Sequence, residues 1–344
     1  MTRDTEQRKR DHLKLALDEN LQFSISSGFN HWRFIHNALP EINLGDVDTC
    51  LMFLGKSLKM PLLISSMSGG VKESCEFNAT LASAAEEVGC ALALGSIRAA
   101  LENGAVRDSF LIAREKAPTS LILVNLGVAQ ILQSTSMTPV VRFCEELKAD
   151  GLIIHLNPLQ EAFQPEGDTQ FKGALEAIGE WVQAFPLPVI VKEVGQGLSL
   201  DVIARLKDVG VRVIDIAGAG GSNWITIERE RLSGSQMVLK RAAHEFADWG
   251  EPTAEILEHL KTDQQVIASG GLKRPLDLAK ALALGANLGG VAGAVVKPAI
   301  QGDLQGLVQT LKVWQETLKM VMFGTGSQTL QAFVGNRTLL KKMD

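Results

Sequence analysis

Residues 151–161 read GLIIHLNPLQE, an apolar run from Gly151 to Ile154 that stops in His155, Asn157, Gln160 and Glu161. One imidazole, two amides and one carboxylate so close together could hold an anion, orient a polar substrate and bind a hard cation. The same break recurs along the chain. Apolar runs also end in Ser66-Met67-Ser68-Gly69-Gly70, Gly95-Ser96-Ile97-Arg98, Asn125, Lys192-Glu193, Gly220-Gly221-Ser222, Gly270-Gly271 and Ala292-Gly293. Any one of these is an ordinary turn. The whole series, at regular spacing, reads as one shared concave site.

Each terminus has its own chemistry. Lys192 follows Val-Ile-Val, so its ammonium leaves an apolar strand. It suits a Schiff-base nucleophile, or a fixed cation beside a ligand that gains negative charge; an internal ion pair is the plainer reading. Gly270, Gly271, Ala292 and Gly293, joined by Gly220, Gly221 and Ser222, would let backbone N–H groups approach a phosphate, or simply make tight turns. Asn125 and Ser96 suit the edge of a polar heterocycle. Together these groups describe a flavin mononucleotide (FMN) site, with the lysine near the ring position that becomes anionic on reduction. Arg8, Lys9, His12, Arg98 and His155 suggest a second anion site, since Arg8 and His12 share a face if helical. The N-terminal part of that cluster is otherwise a solvated helix start. Glu161 is a hard oxygen ligand for Mg²⁺ where a diphosphate supplies further oxygens, or else a salt-bridge partner.

These residues must be positioned by the elements that precede them. Eight β-rich runs occupy 61–67, 90–95, 120–127, 151–157, 188–195, 211–220, 265–271 and 287–296. Most are continuously apolar, as in parallel strands covered on both faces. Helical patterns such as LDVIARLKDVG and RPLDLAKALALGA lie between them and end in Gly, where a C′ residue belongs. The series predicts an α/β fold, a (β/α)₈ TIM barrel over residues 61–344 with C-terminal helices. Residues 1–60 form an N-terminal extension contributing to the active site. A Rossmann sheet fits less well, because its closest fingerprint, GAGGSN at 218–223, comes late and has Asn in place of the third Gly. The long stretch after the sixth strand, residues 221–250, reads either as a mobile lid or as an insertion with an extra helix.

Bulk composition narrows the function classes. The 344-residue chain is 46% hydrophobic and 21% charged, as soluble globular proteins are. With 34 basic against 39 acidic side chains it carries a net charge of −5, which disfavours general nucleic-acid binding. The charged N-terminus lacks a signal-peptide core, and no run approaches the ~20 apolar residues of a membrane span. Cys50, Cys75, Cys90 and Cys144 show no C-x-x-C spacing, so small core thiols in a cytoplasmic protein are expected.

The motifs RKRDH (8–12), SMSGG (66–70), GSIR (95–98), HLNPLQE (155–161), KEVGQG (192–197), AGAGGSNW (217–224) and ASGG (268–271) jointly resemble the type 2, flavin-dependent isopentenyl-diphosphate isomerases. Ser68 and Ser222 stand where that family usually has Thr, and Ile97 where Gln is common. The resemblance implies interconversion of isopentenyl and dimethylallyl diphosphate, with reduced FMN as the acid–base group. It implies FMN contacts from Ser66, Met67, Ser68, Gly69, Ser96, Asn125, Lys192, Ser222, Gly270, Gly271, Ala292 and Gly293. Arg8, Lys9, His12, Ser96, Arg98, His155 and Asn157 would meet the substrate, Gln160 would lie at its reacting carbons, and Glu161 would bind Mg²⁺. It further implies NAD(P)H as reductant and a homo-oligomer, tetrameric or octameric. Rival readings are an FMN barrel oxidising a 2-hydroxy acid and a class I aldolase using Lys192.

Overall fold

Eight short parallel strands close on themselves: β1 (Leu62–Ile64), β2 (Ala91–Ser96), β3 (Ile122–Gly127), β4 (Gly151–Leu156), β5 (Val189–Glu193), β6 (Val213–Asp215), β7 (Gln265–Ala268) and β8 (Leu288–Val291). Each pairs with the next, and β8 pairs with β1, so the predicted (β/α)₈ barrel is observed. The computed structural model describes residues 11, 12, 15, 18–67 and 74–343.

Alternation along the strands separates two cores. Leu63, Ala91, Ala93, Leu123, Ile153, Ile190, Val213, Ile267 and Leu288 fill the barrel interior. Phe53 and Leu58, from a hairpin of Leu51–Phe53 and Lys56–Leu58, pack against them and plug the N-terminal end. Ile64, Leu92, Val124, Leu152 and Val191 face outward into the helical layer. The period of two then dictates the next interior positions. Two residues beyond Leu63, Leu123, Ile153, Ile190, Val213 and Ile267 come Ser65, Asn125, His155, Lys192, Asp215 and Ser269. An apolar plug is thus capped by a polar layer at the C-terminal end.

The observed strands are mostly shorter than the expected runs, and two of them depart most. The run 211–220 contributes only Val213–Asp215 to the regular ladder, because Ala217 takes a left-handed conformation (φ 41°), unusual for a residue with a Cβ. The run 287–296 stops at Val291, and Gly293–Ile300 is helical. The stretch after β6 is an insertion with a helix, Trp224–Arg231, followed by shorter helical turns. Ile225 and Ala243 pack with Phe163 in a small separate core, with Leu159 and Phe246 against it, which seats the insertion on the wall after β4. The chain ends are joined by an antiparallel pair, Trp32–Phe34 with Leu340–Lys342, which no periodicity announced. Cys90 and Cys144 are buried as expected, whereas Cys50 is exposed.

Candidate active site

Strand register places the polar layer. Gly127, His155, Lys192 and Asp215 are successive partners across β3 to β6, so their backbones stand about one strand spacing apart, near 5 Å. Three clusters result. In the first, Asn125 donates Nδ2–H to Ser66 Oγ at 3.2 Å, and its Oδ1 lies 2.7 Å from His155 Nδ1. That contact fixes the tautomer, since an amide oxygen only accepts and Nδ1 must carry the proton. Ser96 pairs in register with Asn125, and its hydroxyl receives the Arg98 N–H at 3.4 Å.

Burial first, and the charge of Lys192 second, push His155 down to about 3, so it is neutral in the ligand-free protein. The sign follows directly. Below the ordinary histidine value of about 6.5 the unfolded chain takes up a proton that the folded chain refuses. Stability is therefore fully present above pH 6.5 and is lost as pH falls through that window. Between pH 6.5 and 5, His155→Gln should flatten the decline in urea-unfolding stability by about 1–2 kcal/mol relative to the parent chain. The comparison must be differential, because Glu193 titrates in the opposite sense in the same range, burial having raised it to about 7.

The second cluster surrounds Gln160. Pro158 opens the helix Pro158–Phe163, where a missing N–H costs nothing. Asn157 Nδ2 donates to Gln160 Oε1 at 3.2 Å and to Glu161 Oε1 at 2.9 Å. The other Glu161 oxygen accepts the Asp168 N–H at 2.7 Å and Gln164 Nε2 at 3.3 Å. Gln160 Nε2 in turn donates to Glu228 Oε1 at 3.1 Å. Glu228, on the insertion helix, is fully buried; His12 Nε2 lies 2.8 Å from the same oxygen, and Arg231 Nη1 reaches the other at 2.5 Å. Burial opposes its ionisation, but His12 and Arg231 outweigh that and hold it below the usual carboxylate range. His12 also meets the Trp224 ring edge-on.

The third cluster is Lys192. Its Nζ donates to the Glu193 carbonyl at 2.5 Å and lies 4.0 Å from Asp215 Oδ2. The Glu193 carboxylate turns away and accepts the N–H groups of Val194, Gly195, Gln196 and Gly197.

The corner between β6, β7 and β8 is lined by backbone. Gly270 has φ 90°, and a Cβ there would lie 1.9 Å from the Gly218 carbonyl oxygen; a Cβ on Gly221 would come within 2.9 Å of Gly271 N. A Cβ on Gly293, at the start of its helix, would meet nothing within 4 Å. Tight backbone packing beside an open helix start suits a phosphate. Among the described residues Ser65 Oγ is buried without a hydrogen-bond partner, as expected where a polar ring would supply one, and Asp215 Oδ2 has only the Lys192 ammonium at 4.0 Å. The residues present fit FMN.

Most expected site residues therefore converge at one barrel mouth. Arg98 is directed toward Glu102 on its own helix, at 2.8 Å and half-exposed. Arg8, Lys9, Ser68 and Gly69 lie outside the described residues, and Met67 is partly buried against the helical core. Sequence reasoning missed Glu228, which sits in the charged run ERER and looks solvated there. It also missed Asp215, although a lone carboxylate inside VIDI does ask for a buried partner. Among the described residues no group of three or more acidic, His or Cys side chains forms a ready metal cage.

Three comparisons bear on the chain. The model of the FMN-dependent dehydrogenase family matches residues 145–341. The isopentenyl-diphosphate delta-isomerase of Chlorobium phaeovibrioides is 41% identical, over 99% of both chains. That of Pseudescherichia vulneris is 44% identical, over 94% of both. Among solved structures, a soluble mutant of (S)-mandelate dehydrogenase from Pseudomonas putida superposes with a TM-score of 0.66 over 98% of both chains. Its 18% identity carries the fold alone.

Proposed function

We propose that this chain, which belongs to the isopentenyl-diphosphate delta-isomerase family, interconverts isopentenyl and dimethylallyl diphosphate with reduced FMN in the barrel mouth. The observation that carries the reading is full-length similarity, at 41% and 44% identity, to proteins of that name. The geometry supports it. Moving the double bond by one carbon requires a proton added at one end of the allyl unit and another removed at its far end. Bound and reduced, FMN supplies an electron-rich face for the tertiary cation and ring nitrogens that carry protons.

The chain's own residues do the rest. Lys192 is a fixed cation at the mouth, Asn125 and Ser96 offer polar edges, and Gly270, Gly271, Ser222, Ala292 and Gly293 line the phosphate corner. Gln160, gripped at its oxygen by Asn157 and at its nitrogen by Glu228, presents an oriented amide to the reacting carbons. An amide is a poor acid, so its role is to orient rather than to protonate. His155, with Arg98 exchanging Glu102 for substrate, would meet the diphosphate together with Arg8, Lys9 and His12. Glu161 supplies one hard oxygen to Mg²⁺, the diphosphate and water supplying the others. The insertion around Trp224 and Arg231 covers the mouth and keeps water from the cation. An NAD(P)H reductant entering the same opening and a tetrameric or octameric assembly belong to the same proposal. Among the described residues no helix is long and apolar enough to cross a membrane.

The geometry disfavours both rivals. Oxidation of a 2-hydroxy acid needs a base at the strand ends, and the β6 terminus from Ala217 to Gly221 holds no histidine. His244 sits on the insertion surface beside Arg229. A class I aldolase would bind no flavin, whereas the residues at this mouth fit FMN and the relatives carry the isomerase name.

Anaerobic incubation of the FMN-loaded, dithionite-reduced protein with isopentenyl diphosphate and Mg²⁺ is expected to give dimethylallyl diphosphate, and the FMN-free protein none. Absence of product with reduced flavin, or undiminished product without any flavin, removes the proposal.

A further inference from the structure

We infer that Asp215 is a counter-ion that limits how much of the Lys192 charge reaches a flavin bound in the barrel mouth, and is thereby a positioning residue for the protonation state of the reduced cofactor. This rests on the flavin reading and deepens it. Asp215 is fully buried. Its Oδ1 is satisfied, by Ser269 Oγ at 2.6 Å and the Ala217 N–H at 3.3 Å. Among the described residues its Oδ2 has no hydrogen-bond partner, and it faces Lys192 Nζ at 4.0 Å, across the register pair that joins β5 to β6.

A half-satisfied carboxylate in a barrel interior is less stable than an apolar side chain of its size, so stability does not explain it. The spacing suggests what does. At 4.0 Å the two charges attract, yet the ammonium spends no N–H on the carboxylate; among the described residues it spends one on the Glu193 carbonyl, which leaves others for a ligand. The remaining charged neighbours do not compete. His155, next in register to Lys192, carries no charge in the ligand-free protein, and the Glu193 carboxylate is folded into its own loop. Lys192 therefore meets the ring as a partly balanced cation. A fully unbalanced one would pull the reduced ring toward its anion and draw its proton off, which is the wrong direction for a group that must both give and take protons.

The test is a pH titration of the absorbance of bound, reduced FMN under anaerobic conditions. In Asp215→Asn, nearly the same in shape, the midpoint between the neutral and anionic reduced forms should fall by about one pH unit, a tenfold change in acid constant. Reduced FMN should also gain affinity over oxidised FMN by about tenfold, or about 30 mV in the two-electron potential. Lys192→Gln should move the midpoint the other way, and the double variant should follow Lys192→Gln, because burial raises the Asp215 carboxyl and the Lys192 charge is the largest cause opposing that, so without Lys192 the carboxyl takes up a proton and has no charge left to remove. An unchanged midpoint in FMN-loaded Asp215→Asn, or additive shifts in the double variant, overturns the inference while leaving the isomerase reading intact. Should Asp215→Asn not fold, Ser269→Ala, which weakens the carboxylate without deleting it, is expected to shift the midpoint in the same direction as Asp215→Asn, and no shift there overturns it equally. A parent chain that stays colourless with added FMN removes both readings together.

Discussion

Glu228→Ala is expected to lower kcat for isopentenyl diphosphate isomerisation by about a hundredfold and to destabilise the fold by roughly 3 kcal/mol. The stability loss comes from a buried charge network. With the carboxylate gone, Arg231 keeps Glu166 and a longer contact to Asp11, but its 2.5 Å partner is replaced by a cavity. The kinetic loss comes from Gln160. Its Nε2 loses the acceptor at 3.1 Å, which leaves, among the described residues, the Asn157 contact at the amide oxygen to set the rotamer. A disordered amide at the reacting carbons should appear in kcat more than in KM. Glu228→Gln separates the two effects, because a carboxamide oxygen still accepts from Gln160 while the charge facing Arg231 and His12 is gone. It should recover much of kcat and less of the stability, read by urea unfolding alongside steady-state kinetics. Equal kcat values in the Ala and Gln variants would show that Glu228 does not act through Gln160.

Glu193→Ala should be the most damaging single change in the barrel strands, at about 3 kcal/mol or more, measured at pH 8 where the carboxylate is ionised. One oxygen, Oε2, accepts four consecutive backbone N–H groups, from Val194 to Gly197, at 2.5 to 3.1 Å. These donors form a concave nest for an anion, and no strand neighbour replaces it. Deleting the carboxylate leaves several buried N–H groups without an acceptor in a loop that carries Gly195 and Gly197 at positive φ. Lys192 should then lose its seat, since its ammonium is tethered to the Glu193 carbonyl. Loss of FMN affinity together with the fall in urea midpoint is the expected pairing. A variant of parental stability would show that the nest is incidental to the fold.

Much of this architecture was legible in the chain. Continuous apolar runs such as LILV and GLII marked two-faced strands, and their abrupt polar endings marked the C-terminal mouth. The mechanism is the pleat: once Ile153 and Ile190 face inward, His155 and Lys192 must as well, two residues on. Lys192 emerging from VIV and the amides of HLNPLQE therefore announced themselves. The role of Glu228 did not. It lies among like and unlike charges in a segment whose helical pattern looks solvated, and only docking of the insertion against Phe163 and Leu159 buries it. The pairing of Trp32–Phe34 with Leu340–Lys342 was equally hidden, because residues so distant in sequence share no local signal.

The sequence by itself determined the alternation of strand and helix, the inward direction of each polar terminus and the chemistry available there, because these follow from short-range periodicity and side-chain type. Only the tertiary structure decided which of those termini touch. Lys192 faces Asp215 and Gln160 faces Glu228 through barrel register and the seating of an insertion, and both are set by packing between segments that are remote along the chain.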